Sequence, residues 1–93
     1  MKSLEKECLQ RIQKLMKERR VALGLKQSEA AQRAGVNLRA VQHFEQIGGI
    51  SLMKLLKLMV VYRMEKSFLR FLDDRSDWTI EELERAETRK TVR

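Results

Sequence analysis

Proline is absent from this 93-residue sequence, and glycine occurs only four times. Few positions therefore break a helix outright, and the abundant Leu, Met, Lys, Arg, Glu and Gln are good helix formers. The expected fold class is all-α. The single cysteine, Cys8, excludes an internal disulfide and reads as a passive residue of a helix surface or core. With one histidine in the whole chain, a zinc site would have to be completed by distant carboxylates, so no metal and no cofactor are expected. Long apolar runs are missing too. The longest, 55–62, is interrupted by Lys57 and falls far short of the roughly 20 residues of a membrane span, so no membrane partner is expected. The N-terminal residues carry no apolar run followed by a small-residue cleavage site, which points to a cytoplasmic setting. Catalytic signatures are equally lacking: there is no acid and base pair, no metal-ligand cluster and no glycine-rich phosphate loop. Ser28 and His43 are the one nucleophile and one base worth naming, and they face different tasks. An enzyme is not expected.

What the chain has in excess is positive charge. Twenty Lys and Arg stand against thirteen Asp and Glu, a formal +7, and on so small a body that field attracts polyanions. Nucleic acid and an anionic membrane surface both satisfy charge alone. A chain of this length buries enough surface for one core and not for two. One domain over 1–72 with an extension over 73–93 is expected.

Apolar Leu4, Cys8, Ile12, Leu15, Met16 and Leu23 recur at spacings of three and four with charged residues between them, the stripe of a helix over about 4–23. Gly24 suits its end. A short helix over 27–34 follows, then Gly35, which can turn left-handed, and Asn37, which can cap a helix over 38–46. Ser51 caps a fourth helix, about 51–62, with an apolar stripe of Leu52, Leu55, Leu56, Met59 and Val60. Phe68, Leu69, Phe71 and Leu72 belong to a short fifth helix over 65–72, and the aspartate-rich 73–77 reads as a loop leaving the core. Thr79 with Glu82 three residues on forms a capping box for a sixth helix over about 79–88, and 89–93 is a basic tail.

One constellation stands out in 27–46. Ala31, Ala34 and Gly35 are small where two short helices joined by a tight turn must cross closely. Ala30, Val36, Val41 and Phe44 supply apolar contacts on the inner side, which leaves Leu38, Arg39, Gln42, His43 and Gln46 for the outer side. This stretch resembles the helix-turn-helix regulators of the Xre family, the group that includes the phage repressors and Cro proteins. The resemblance runs over about 12–72. Arg19-Arg20 to Leu25-Lys26-Gln27 matches the family's first-helix ending, Ala31 and Gly35 its small residues, and Val41 with Phe44-Glu45 the end of its recognition helix. Three positions depart from the pattern: Lys26 replaces a capping Ser, Thr or Asn, Ala30 replaces a leucine, and Arg63 stands near where a glycine ends helix four.

The resemblance implies a five-helix repressor-like domain whose partner is double-stranded DNA. It implies an ion pair between Arg20 and Glu45, and phosphate contacts from Gln27 with Lys26, flanked by Lys17, Arg19 and Gln46. Lys14 and Arg33 are expected near the same side, with Arg89, Lys90 and Arg93 as a trailing basic arm. Base reading falls to the start and outer face of helix 38–46: Asn37, Leu38, Arg39, Gln42 and His43. Arg39 suits guanine, Gln42 suits adenine, and Leu38 can touch a thymine methyl. One such helix reads few base pairs, so a homodimer is expected, through Tyr62, Met64, Phe68 and Phe71, most of which suit the core better, or through Trp78, Ile80 and Leu83. Trp78 is the better clue, because an aromatic outside the domain needs a surface to cover it. The function implied is a transcriptional repressor. An alternative is an antitoxin that holds a toxin protein and autoregulates its operon, since Ile47-Gly48-Gly49-Ile50-Ser51-Leu52 is similar to the Xre-type antitoxins paired with kinase-like toxins.

Overall fold

The computed structural model describes residues 3–89, of Arg89 the backbone alone, and among these residues the chain forms helices and no strand. The helices are α1 (Leu4–Ala22), α2 (Gln27–Ala34), α3 (Leu38–Gln46), α4 (Leu52–Val61), α5 (Glu65–Asp73) and α6 (Ile80–Arg89). Among the described residues no helix is long and apolar enough to cross a membrane. Asp73, expected in the acidic loop, is the last residue of α5.

Side chains fix where the helices begin. The Ser3, Asn37 and Ser51 oxygens accept from the backbone N–H three residues on, at 3.2, 2.8 and 3.3 Å, and so satisfy one orphan donor each at α1, α3 and α4. At α6 Thr79 and Glu82 form the reciprocal capping box, with bonds of 2.7 and 3.1 Å. At α2 only half of such a box exists. Glu29 accepts from the Lys26 N–H at 2.9 Å, and a lysine side chain has no acceptor with which to return the bond.

Three helices end alike. After α1, α2 and α4 the chain turns left-handed at Gly24 (φ 73°), Gly35 (φ 69°) and Arg63 (φ 59°). The next N–H then reaches back to a carbonyl five residues earlier: Leu25 to Arg20, Val36 to Ala31 and Met64 to Met59, at 2.9–3.1 Å. Helix four thus ends at an arginine in a conformation that favours glycine.

The core is small and central. Met16 of α1, Ala30 and Ala31 of α2, Val41 and Phe44 of α3, and Leu58, Met59 and Tyr62 of and after α4 are buried. From α2 only two methyl groups enter it, so α2 lies between α3 and α4 as a thin spacer. Ala30 is fully buried.

Two expected stripes are corrected. In α1, Met16 is buried and Ile12 and Leu23 pack on the core, whereas Leu4, Cys8 and Leu15 are exposed. Leu15, next to Met16, lines an open apolar groove with Met59, Met64 and Phe68. For Leu4 and Cys8 the cause is length: 19 residues extend about 28 Å, roughly twice the reach of α3, so the first turns of α1 pass beyond their cover. Its last contact on that side is Leu9, against which a side chain at buried Gly48 would collide at 2.8 Å. In α4, Leu55, Leu56 and Met59 of the expected stripe face inward, whereas Leu52 and Val60 are exposed and Leu58 and Tyr62 face inward in their place. Nearly every position of α4 is apolar, so periodicity alone leaves its inward face open and packing on α2 decides it.

Replacing Arg63 by glycine should raise stability by roughly 0.5–1 kcal/mol, the left-handed strain relieved less the extra freedom glycine has when unfolded. Denaturant unfolding of Arg63→Gly beside Arg63→Ala measures it. A glycine variant no more stable than the alanine one would show that the turn carries no strain.

Candidate nucleic-acid interface

α3 presents two chemically opposite faces. Val41 and Phe44 are buried, and Arg39, Gln42, His43 and Gln46 are exposed on the other side, with Leu38 at the border. A face of this kind is useful only if the helix beneath it is held still, and three elements hold it.

The principal clamp is at its C-terminal end. Arg20, on the last turn of α1, donates from Nε to Glu45 Oε2 at 2.7 Å and from a terminal nitrogen to Oε1 at 3.0 Å. The two side chains are 10% and 5% accessible, so the pair is a buried two-pronged fork and not two solvated charges. A third Arg20 donor reaches the Leu25 carbonyl at 2.9 Å. The hydrogen bond to Glu45 raises the Arg20 pKa further above its ordinary value, against a smaller opposing effect of burial. Gln13, which the sequence did not single out, donates from Nε2 to the Phe44 carbonyl at 2.9 Å and so caps the last turn of α3 from α1. Tyr62 lies in the core beside the pair, and burial pushes its hydroxyl pKa up to about 12.

Several expected contacts are placed differently. Gln27, expected on a phosphate, donates its side-chain amide to Glu45 Oε1 at 3.0 Å, so it completes the clamp. Its backbone N–H, at the start of α2, remains available to an anion. Arg19, also expected on a phosphate, donates from Nε to the Tyr62 carbonyl at 2.9 Å. That carbonyl closes α4 at the end about 15 Å from the start of α4 beside α3, so through its Nε Arg19 ties α1 to α4. Asn37 spends its side-chain oxygen on the cap of α3, leaving the amide nitrogen for any base. His43 is exposed but lies against the turn after α3: a side chain at Gly49 would come within 3.0 Å of His43 Nε2. Lys14, Lys17, Lys26, Arg33 and Gln46 are exposed as expected of surface contacts. Lys90 and Arg93 of the expected basic arm lie outside the described residues.

Between α3 and the start of α4 is an open hollow of about 310 Å³ lined by Asn37, Arg39, His43, Gly49, Ser51 and Lys54, among others. Two cations and the N-terminus of α4 converge there, a combination that attracts an anion. Lys54 was not anticipated from the sequence. The available signal was its place three residues after the capping Ser51, on the first turn of a helix that follows α3 closely.

Of the residues expected at a partner interface, Trp78, Ile80 and Leu83 are all exposed, although Arg75 covers one face of the indole at 5.1 Å. Of the other expected set, Tyr62 is core, Met64 and Phe68 pack on it, and Phe71 is exposed. The chain matches no protein-family model, no characterised protein and no solved structure.

Two outcomes are expected. Losing one partner of the Arg20–Glu45 pair leaves a buried charge and should cost about 3–5 kcal/mol. The cycle of Arg20→Ala, Glu45→Ala and the double variant, read by denaturant unfolding, should give a coupling on the order of 2 kcal/mol, and additive losses would remove the clamp. Tyr62 keeps its proton when folded and loses it near pH 10 when unfolded, so the unfolded state binds fewer protons above pH 10. Stability should therefore fall by roughly 2 kcal/mol as pH rises from about 10 to 12. In Tyr62→Phe that part of the decline should vanish.

Proposed function

We propose that this chain is a DNA-binding transcriptional regulator of the Xre, Cro and phage-repressor kind, a repressor that acts as a homodimer. In this reading α2 and α3 are the helix-turn-helix, and α3 enters the major groove. The observation that carries it is the exposed row of Arg39, Gln42, His43 and Gln46 on a helix whose far end is clamped by the buried Arg20–Glu45 fork. Base reading needs donors and acceptors held at fixed positions, and a platform anchored from α1 and α2 supplies them.

The roles divide by geometry. Arg39 offers a planar pair of donors for guanine, and Gln42 a donor and acceptor for adenine. Leu38 borders the same face and offers an apolar contact to thymine. His43, resting on the Gly49 turn, contributes through a restricted set of orientations. Phosphates on one side meet Lys26 and the first N–H groups of α2, and on the other Lys54 and the start of α4. The formal +7 adds a long-range attraction to the duplex.

A single short helix spans few base pairs, so two copies would read half-sites about one helical turn, roughly 34 Å, apart. Footprinting across the promoter of the protein's own gene should reveal a protected inverted repeat. With about six phosphates neutralised, log affinity should fall against log salt with a slope near −5. Arg39→Ala should cost about 1–3 kcal/mol on the protected sequence and little on random duplex. Equal loss on both, or binding insensitive to salt, would overturn the groove reading.

A further inference from the structure

From residue 69 to residue 88 every side chain is exposed, although the stretch contains two helical segments with apolar residues at helical spacing. Ile80 is 73% exposed and Leu83, one turn on, 40%. A ten-residue helix that buries nothing is marginal in water, since short helices draw their stability from packing an apolar face. The body of the protein meanwhile carries an apolar groove with nothing in it. Ile12 and Leu15 of α1, Met59 of α4, and Met64, Phe68 and Phe71 at α5 line about 290 Å³ of open space. Leu15 and Phe71 on its rim are 54% and 69% exposed. Its volume is at the lower limit of small-molecule sites, and it lies open along one side, which suits side chains projecting from a helix.

We infer that α6 of one copy seats Ile80 and Leu83 in this groove of a second copy, so that two chains exchange their C-terminal helices. Charge selects the occupant. Residues 73–89 hold seven carboxylates against three arginines, a net −4, while residues 1–72 hold fifteen basic and six acidic residues, a net +9. An acidic helix laid on a basic body lowers the self-repulsion of both. Arg70, beside Ser67 on the groove side of α5, and exposed Arg63 at the α4–α5 turn stand near Glu81, Glu84 or Glu87 of an incoming helix.

The segment between α5 and α6 decides between a second copy and the chain's own groove. Arg75 donates to the Leu72 carbonyl at 2.6 Å and stacks on Trp78, Ser76 N–H bonds Asp74 at 2.8 Å, and Trp78 N–H bonds the Arg75 carbonyl at 3.0 Å. This turn carries α6 away from the groove of its own chain. The radius of gyration is 16.6 Å, against about 12 Å for a compact chain of this length. A helix held out by a fixed turn and complementary to an open groove is the arrangement that closes by exchange around a two-fold axis.

The inference deepens the homodimer of the proposed function, and it is tested without DNA so that failure of the groove reading leaves it standing. Sedimentation equilibrium is run on the full chain, on a helix variant (Ile80→Glu with Leu83→Glu) and on a groove variant (Leu15→Glu with Phe71→Glu). All four positions are exposed, and helical circular dichroism with a cooperative melt checks that each variant folds. The unsubstituted chain should be a dimer, and each variant should weaken self-association roughly tenfold or more. An equimolar mixture of the two variants should form heterodimers, because one intact helix meets one intact groove. A helix variant that still dimerises fully would place the interface elsewhere. An unsubstituted chain that is monomeric would leave the groove to its own helix or to another protein. Variants that fail to complement each other would mean that helix and groove do not meet. Each of these three outcomes overturns the inference.

Discussion

Arg20 and Glu45 are brought out of water together at the point where α1 ends, α2 begins and α3 ends. Removing two charges from solvent costs several kcal/mol unless their hydrogen-bonding capacity is met. Here it is met by directional bonds: Arg20 donates to both Glu45 oxygens and to the Leu25 carbonyl, and Glu45 receives Gln27 as well. Such a pair tolerates little displacement, since a shift in any one helix end leaves a buried donor or acceptor unmet. The positions of three helix ends are thereby coupled, and Gln13 adds a fourth tie by closing the last turn of α3.

The clamp lies at the far end of α3 from its cap, and the consequence is mechanical. Asn37 fixes where α3 begins, the fork fixes where it ends, and Val41 and Phe44 fix its rotation by filling the core. What is left facing outward is a short row of hydrogen-bonding side chains with little freedom in their backbone. The proposed reading of DNA depends on that rigidity more than on the identity of any one outward residue. The neighbouring start of α4 brings Lys54 to the same side, so one cation that would hold a phosphate comes from a helix other than the one proposed to read the bases.

Charge and apolar surface are distributed unevenly along the chain. The basic excess belongs to residues 1–72 and the acidic excess to 73–89, and exposed apolar side chains include Leu15 and Phe71 at the groove and Ile80 and Leu83 on α6. A field attractive to a polyanion at one side and an acidic amphipathic helix at another are compatible in one small protein because the two surfaces are carried by different elements. The turn at Arg75 and Trp78 keeps them apart within one chain.

The sequence was legible wherever the determinant is local. Helix ends follow from Asn37, Ser51 and Thr79 as caps and from Gly24 and Gly35 as left-handed turns, because those bonds join residues a few positions apart. The small residues of α2 and the two faces of α3 were readable for the same reason. Gln13, Arg19 and Gln27 were not: the partners of all three lie 18 to 43 residues away, on other helices. The inward face of α4 was legible only in part, since a run of nearly uniform apolar residues has almost no period to read: Leu55, Leu56 and Met59 pack inward, Leu52 and Val60 do not, and Leu58 and Tyr62 do. The sequence by itself thus determined an all-helical chain, the bounds of its helices and its excess of positive charge. Only the tertiary structure decided which polar side chains are free to meet a ligand and which are consumed in holding α3, because a long side chain commits to whichever acceptor packing brings within 3 Å.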